Sequence, residues 1–262
     1  MKLDQAVRPE ATDAPYEGAA LRKRSAFVVE QVSLHARRKE MSQINVLDLG
    51  CGMGGMALAL GELGHRVVGT DVDPATISFC RERNTSPNVT FAVGDGETLA
   101  LGEEFDVVIA SEVLEHTQHP DLLLATMNRH LADGGIGLLS VPNGYCLWEL
   151  VVSRHIHRSR LVASLYGSRR AHKLLTGSET PFYSLNAFCF HSHFFSFRRL
   201  KELLAGNGFR IVSAGHSDLG ILPEWSWLRP LKGIECRLAD LVPHALAGGW
   251  LLVLVKNEAG RL

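Results

Sequence analysis

The stretch "NVLDLGCGMGGMALAL", residues 45–60, concentrates the residue types that could do chemistry. Gly50, Gly52 and Gly55 stand at G-x-G-x-x-G spacing, the pattern of a turn that brings backbone amides close to a dinucleotide pyrophosphate. Asp48 lies directly ahead of them, and Cys51 lies among them. A carboxylate at the mouth of such a loop repels a pyrophosphate and attracts an ammonium group. Two more acids follow at expected strand ends: Asp71 in "VVGTDVD", with Val72 beside it, and Asp95 in "VGDGETL", with Gly96 beside it. About 20 residues past a glycine turn, an acid can accept hydrogen bonds from both hydroxyls of a ribose. Asp95 would stand level with an adenine amino group. A ligand with adenosine at one end and a zwitterionic amino acid at the other satisfies all three acids. Its own carboxylate can face the helix N-terminus after Gly54, where free amides and the helix dipole favour an anion. S-adenosylmethionine has that composition and is the expected cofactor.

Each residue alone has a plainer reading. Glycines pack many strand–helix turns, Asp48 could cap a helix, and Asp71 could serve a turn. NAD would also suit Asp71 and Asp95. A nicotinamide-dependent oxidoreductase therefore stays open, as does a non-catalytic scaffold that keeps the S-adenosylmethionine pocket.

Beyond the cofactor, His116 in "SEVLEH" follows an expected strand and could act as a general base, or merely open a polar loop with Glu115. Glu112, Glu115 and His116 together could suggest a metal, but a metal-free site is expected. The stretch 154–173, "RHIHRSRLVASLYGSRRAHK", has five Arg, one Lys and no acid, with apolar residues at helical spacing. It could close over an anionic substrate, lie on an anionic membrane, or present a solvated face. The pairs His155/His157 and His191/His193 lack a third ligand at clear zinc spacing and read as structural histidines. The aromatic run "PFYSLNAFCFHSHFF" reads as cap core or as a wall for a lipophilic acceptor. Asn143, Tyr183 and His193 are the candidate substrate contacts.

These residues need a scaffold, and strand-like and helix-like segments alternate to supply one. After a leader over residues 1–16 and a helix to about Arg38 come "INVLDLG", "GMALALGELG", "RVVGTDVD", "PATISFCRER", "NVTFAVGD", "FDVVIAS", the helical "PDLLLATMNRHLADGG", and "IGLLSVPN". That alternation predicts an α/β fold, a doubly wound, mostly parallel sheet covered on both faces. Residues 145–192 interrupt it as a helical cap insertion in a single domain over 17–262. The rhythm resumes in "SFRRLKELLAGNGFRIVSAG", breaks again in a Trp- and Pro-rich stretch, and ends in "GWLLVLVKN". Ligands in such sheets bind beyond the carboxyl ends of the strands.

Bulk composition excludes more than it selects. A formal charge of −1 gives no global reason to expect nucleic acid as a partner. The five cysteines, Cys51, Cys80, Cys146, Cys189 and Cys236, include no C-x-x-C pair and read as buried thiols. The N-terminal stretch has no apolar core of a signal peptide, and no run of about 18 apolar residues occurs. A cytoplasmic protein is expected, peripheral at the membrane if 154–173 binds lipid.

The motifs resemble those of the seven-stranded, class I S-adenosylmethionine-dependent methyltransferases. "VLDLGCGMGG" is similar to their first motif, "VVGTDVD" to their acidic second-strand end and "VGDGETL" to their adenine motif. "FDVVIASEVLEH" and "LADGGIGLLSVPN" are similar to the fourth- and fifth-strand motifs. "HFFSFRRLKELLAGNGFRIV" resembles the region after the cap in the ubiquinone and menaquinone methyltransferase group. The resemblance implies that Asp48 with Gly50, Cys51 and Gly52 holds the methionyl part, Asp71 the ribose and Asp95 with Gly96 the adenine. It places Ser111, Glu112 and Val113 on the methionine side, and it implies a Rossmann-like seven-stranded sheet with a final antiparallel strand. The implied reaction transfers a methyl group to a small-molecule or lipid-linked acceptor, most plausibly at oxygen. Some relatives in the quinone pathway are thought to use a divalent ion, but their extended acidic cluster is not reproduced here.

Overall fold

A computed structural model of the chain describes residues 19–146, 191–222 and 229–257. The elements run α1 (Ala19–Arg38), β1 (Asn45–Leu49), α2 (Gly55–Glu62), β2 (Arg66–Asp71), α3 (Pro74–Arg83), β3 (Val89–Val93), β4 (Phe105–Ser111), α4 (Pro120–His130) and β5 (Leu131–Pro142). Then follow α5 (Phe197–Gly206), β6 (Phe209–His216), α6 (Arg229–Leu238), two short 3-10 turns and β7 (Gly249–Lys256).

One seven-stranded sheet has the order β3-β2-β1-β4-β5-β7-β6. The neighbours from β3 to β5 pair in parallel, and β7 runs antiparallel to both β5 and β6. Its central strands are apolar runs because both faces are covered. Leu47, Leu49, Val108 and Ala110 pack with Leu123, Leu124 and Met127 of α4 and Leu200 and Leu204 of α5. Val46, Val107 and Ile109 pack on the other face with Val28 and Val32 of α1, Ala57 and Leu60 of α2, and Ile77 of α3. The strand order reverses between β1 and β4, and the crevice outside their carboxyl ends is where such sheets bind ligands.

Local sequence chemistry sets most boundaries. Pro74 opens α3, and Asp73 caps it by accepting from the amides of Ala75 and Thr76, both at 3.2 Å. Ser196 caps α5 through the Arg199 amide at 3.3 Å.

Two regions differ from the sequence expectation. The helix expected to run on to "ADGG" ends at His130, and Leu131 already pairs with Phe105 at the start of β5. The register then jumps to Val107 opposite Ile136, with the intervening residues looped out around Gly134 at φ +72°. Helix α6 was not foreseen, and its polarity is inverted. Leu231, Ile234 and Leu238 face outward, whereas Lys232 is only 2% exposed. Lys232 pairs with Asp218 and, at 3.2 Å, with Glu235. Glu235 in turn accepts the amides of Ile221 and Leu222 at 2.9 and 3.2 Å. Of the expected insertion, residues 147–190 lie outside the described residues, and with them Tyr183 and the basic stretch 154–173.

Candidate cofactor and acceptor site

Asp48 occupies β1 on the same face as Val46, by the two-residue alternation of a strand, and is 3% exposed. Its Oδ2 is buried without a hydrogen-bond partner. Burial, and then the negative charge of Asp71, push its carboxyl up to about 7 from an ordinary 3.8.

The loop that follows turns through three left-handed residues, Gly50, Gly52 and Gly54, at φ +67°, +52° and +78°. At Gly50 a Cβ would stand 2.5 Å from Val113 Cγ2, so the β1 loop and the loop after β4 touch through bare backbone. Gly54, the residue before α2, has no room either, because its Cβ would stand 2.7 Å from the Phe91 ring. Gly55, the third glycine of the sequence motif, has open space around it and simply begins the helix. Spacing alone therefore picked the wrong third glycine.

Asp71 closes β2 as expected. Its Oδ2 accepts the Gly52 amide at 3.1 Å and its Oδ1 the Asp73 amide at 3.0 Å. Burial raises its pKa, and the amides of Asp73 and Gly52 oppose that shift. Two carboxylate oxygens offer about four acceptor sites, so room remains for ribose hydroxyls. Beside it Val72 is 67% exposed, an apolar side chain left open to solvent.

Asp95 lies just past β3, exposed, with Oδ1 accepting the Glu97 amide at 2.9 Å. Gly96 follows in the same turn. The turn also locks to the opposite loop, because the Glu97 carboxylate accepts the amides of Gln118 at 2.6 Å and His119 at 3.2 Å. Those amides precede α4, whose N-cap residue, His119, supplies no side-chain cap. Nothing in the sequence pattern flagged Glu97.

At the end of β4, Ser111 Oγ and Ser140 Oγ share a hydrogen bond of 2.9 Å. Ser140 also donates to Glu112 Oε1 at 3.0 Å, while Glu112 Oε2 meets the Arg24 guanidinium of α1 at 3.1 Å. Glu112 itself is left-handed at φ +57°, an uncommon conformation for a residue with a Cβ. Its carboxylate thus points to α1 and Ser140, and it is absent from the cluster that Glu115 and His116 build. Arg24 and Ser140 were not singled out in the sequence.

That cluster gains a different member. His116 Nε2 lies 3.6 Å from Glu115 Oε1, and the His116 and His191 rings meet edge-on at 5.0 Å between centroids. The candidate ligand atoms of Glu115, His116 and His191 all lie within 4.8 Å of one another, close enough to share one cation. Residues returning from the insertion dock here, since the amides of Ser192 and His193 both donate to the Glu115 carbonyl. His193 Nε2 is 3.3 Å from the Gln118 carbonyl. Asn143 is buried and braces the chain instead of opening to the crevice. It donates to the carbonyls of Ala245 and Ala247 and accepts the Tyr145 amide.

This strand order, with β7 antiparallel next to the edge and a glycine turn where the order reverses, defines the class I S-adenosylmethionine-dependent methyltransferase fold. An S-adenosylmethionine-dependent methyltransferase from Clostridium acetobutylicum superposes over 90% of this chain and 92% of its own, with TM-score 0.58 and 11% identity. Magnesium protoporphyrin IX methyltransferase from Synechocystis, solved with bound SAH, does so over 89% and 83%, with TM-score 0.54 and 16% identity. The family described as "Methyltransferase domain" matches residues 20–214, and the chain belongs to it.

Among curated proteins, ubiquinone biosynthesis O-methyltransferase of Rickettsia akari is 27% identical over 46% of this chain and 48% of its own length. Malonyl-[acyl-carrier protein] O-methyltransferase of Bacillus cereus is 27% identical over 71% of each. The chain spans about half the length of the ubiquinone relatives it matches.

The family's cofactor fits the residues present. The orphaned Asp48 oxygen, the bare glycine backbone and the spare acceptor sites on Asp71 are the groups that an amino acid and a ribose would satisfy.

Proposed function

We propose that this protein transfers a methyl group from S-adenosylmethionine to an oxygen atom of a small-molecule or lipid-linked acceptor. One observation carries the reading: a fully buried carboxyl oxygen at Asp48 without a partner, beside a loop kept bare by glycine. Asp48 would hold the amino group, Gly50, Cys51 and Gly52 the methionyl part, Asp71 the ribose, and Asp95 with Gly96 and Val72 the adenosine. Ser111 and Val113 would line the methionine side.

Bound there, the cofactor supplies an activated methyl group, so the protein's work is to orient the acceptor and manage its proton. His116 would take that proton on its imidazole ring. Glu115, within 3.6 Å and buried, would stabilise the imidazolium that forms. Oxygen as the acceptor atom is supported by the relatives named O-methyltransferases. For a lipid-linked acceptor, we read 154–173 as a peripheral contact with an anionic membrane. Co-sedimentation with anionic liposomes at low salt that disappears at high salt would support it, and equal recovery in the supernatant at both salts would remove it.

The test is ligand-induced stabilisation followed by turnover. S-adenosylhomocysteine should raise the melting temperature and NAD should not, and the reverse result would restore the oxidoreductase reading. Release of S-adenosylhomocysteine with hydroxyl or carboxyl acceptors, and none with amines, is expected. A second reading rests on the proximity of Glu115, His116 and His191, which could hold a divalent cation that activates the acceptor oxygen. Activity that survives exhaustive chelation would favour His116 as base, and activity restored only by added cation would favour the metal.

A further inference from the structure

Cys51 and Cys80 are far apart in sequence, yet their thiols meet under the cofactor loop. Cys80 Sγ donates to the Gly52 carbonyl at 3.2 Å, and Cys51 Sγ lies 3.7 Å from the same oxygen. Both sulfurs thus crowd the same carbonyl oxygen. Cys80 is buried on α3, whereas Cys51 is half-buried in the loop. The surroundings are tight. A Cβ on Gly69 would come within 3.2 Å of Cys51 Sγ, and one on Gly54 within 3.1 Å of Cys80 Sγ, with the Phe91 ring against both glycines. A bulky mixed disulfide does not fit at Cys80, but a bond between the two sulfurs adds no atoms.

We infer that Cys51 and Cys80 form an oxidation site whose disulfide ties the cofactor loop to α3 and weakens cofactor binding. With hydrogen peroxide as oxidant, the Cys51 sulfur gains oxygen to give a sulfenic acid and one water leaves. The Cys80 sulfur then displaces the hydroxyl, which departs with the Cys80 proton as a second water. Two thiols lose two electrons, and one peroxide is reduced to two waters.

The bonded sulfurs sit about 2 Å apart. The Gly52 carbonyl then loses both thiol donors, and the loop is drawn away from the position in which the Gly52 amide meets Asp71. The neighbouring Cys80 side chain, and then burial, hold Cys51 as a thiol well above its ordinary range. The same neighbourhood lowers the Cys80 thiol, which makes Cys80 the readier thiolate to attack the Cys51 sulfur.

The inference rests on residues 50–52 forming the cofactor loop. The experiment treats the full chain with hydrogen peroxide, alkylates the remaining thiols, maps cross-linked peptides by mass spectrometry, and titrates S-adenosylhomocysteine by calorimetry. A Cys51–Cys80 peptide, an affinity at least tenfold weaker, and full recovery with dithiothreitol are expected. Cys80→Ala should bind the ligand equally before and after peroxide. Its melting temperature in reducing buffer reports folding, and reversal in the wild type tests the pair without any variant. Both peptides recovered as free thiols, or a cross-link with unchanged affinity, would overturn the inference alone. Reduced protein that fails to bind the ligand would overturn the loop assignment along with it.

Discussion

Replacing Asp48 with Asn tests the central electrostatic argument, because it keeps the shape and removes the titration. Burial and the charge of Asp71 move the carboxyl from 3.8 to about 7 in the unliganded fold. A rise of roughly three pKa units corresponds to about 4 kcal/mol at 1.4 kcal/mol per unit. The sign follows from linkage. An acid whose folded pKa exceeds its unfolded pKa binds more protons in the fold, so stability is fully present below 3.8 and falls as pH rises to about 7. Asn, like the protonated acid, is neutral throughout. Between pH 5.5 and 7 the wild type loses about 2 kcal/mol relative to Asp48→Asn. For a chain of this size that corresponds to about 4–8 °C in melting temperature.

Cofactor binding should run the other way. An ammonium group favours the ionised carboxylate, so S-adenosylhomocysteine binding to the wild type releases a proton below pH 7. Its dissociation constant should be about tenfold weaker at pH 6 than at pH 8, since only about one-tenth of the carboxyl is ionised at the lower pH. Asp48→Asn should lose about 1.5–3 kcal/mol of affinity at pH 8 and show a flat profile. Thermal melts and calorimetry at three pH values measure both effects. A melting-temperature difference that does not change with pH would refute a protonated Asp48. Unchanged affinity in the variant would refute the ammonium contact.

Gly50→Ala combines a contact of 2.5 Å with Val113 and a left-handed backbone, which itself costs about 1–2 kcal/mol. A lower melting temperature and a dissociation constant for S-adenosylhomocysteine at least tenfold weaker are expected, and a variant unaffected in both would contradict the packing described. Asp71→Ala removes acceptors for the ribose and for the Gly52 amide, and calorimetry should show about 1.5–3 kcal/mol of lost binding. An unchanged constant would take Asp71 out of the site. His116→Gln should lower kcat about 10²–10⁴-fold with ligand affinity intact, the usual range for a lost general base. Equal turnover would return His116 to a loop role.

The central sheet was legible because β1, β2 and β4 are buried on both faces and therefore appear as unbroken apolar runs. Asp48, Asp71 and the glycine turn were legible for a related reason: strand ends and backbone turns leave short, local signals. What failed was set by contacts between distant segments. Gly54 and not Gly55 is the constrained glycine, because Phe91 of β3 presses on it. The end of α4 depends on Leu131 finding Phe105. Glu112 turned from the cluster because Arg24, on a helix ahead of the sheet, draws its carboxylate. His191 joined His116 only through the docking of the chain after the insertion. Helix α6 reverses the usual rule, since Lys232 and Glu235 go inside to meet Asp218 and two amides. Hydrophobic periodicity would have turned that helix around.

The position of β7 has a consequence for biosynthesis. Strands β1 to β5 are complete as a parallel ribbon once residue 142 has left the ribosome, and each already has its neighbours apart from the β5 edge. The β6 segment emerges next but has no seat, because its partner is made last and must slide between it and β5. Until residues 249–256 are synthesised, the nascent chain carries an open edge at β5 and an unpaired strand at β6. Closure is therefore a late event that zips both ladders together through Trp250, Leu252 and Leu254.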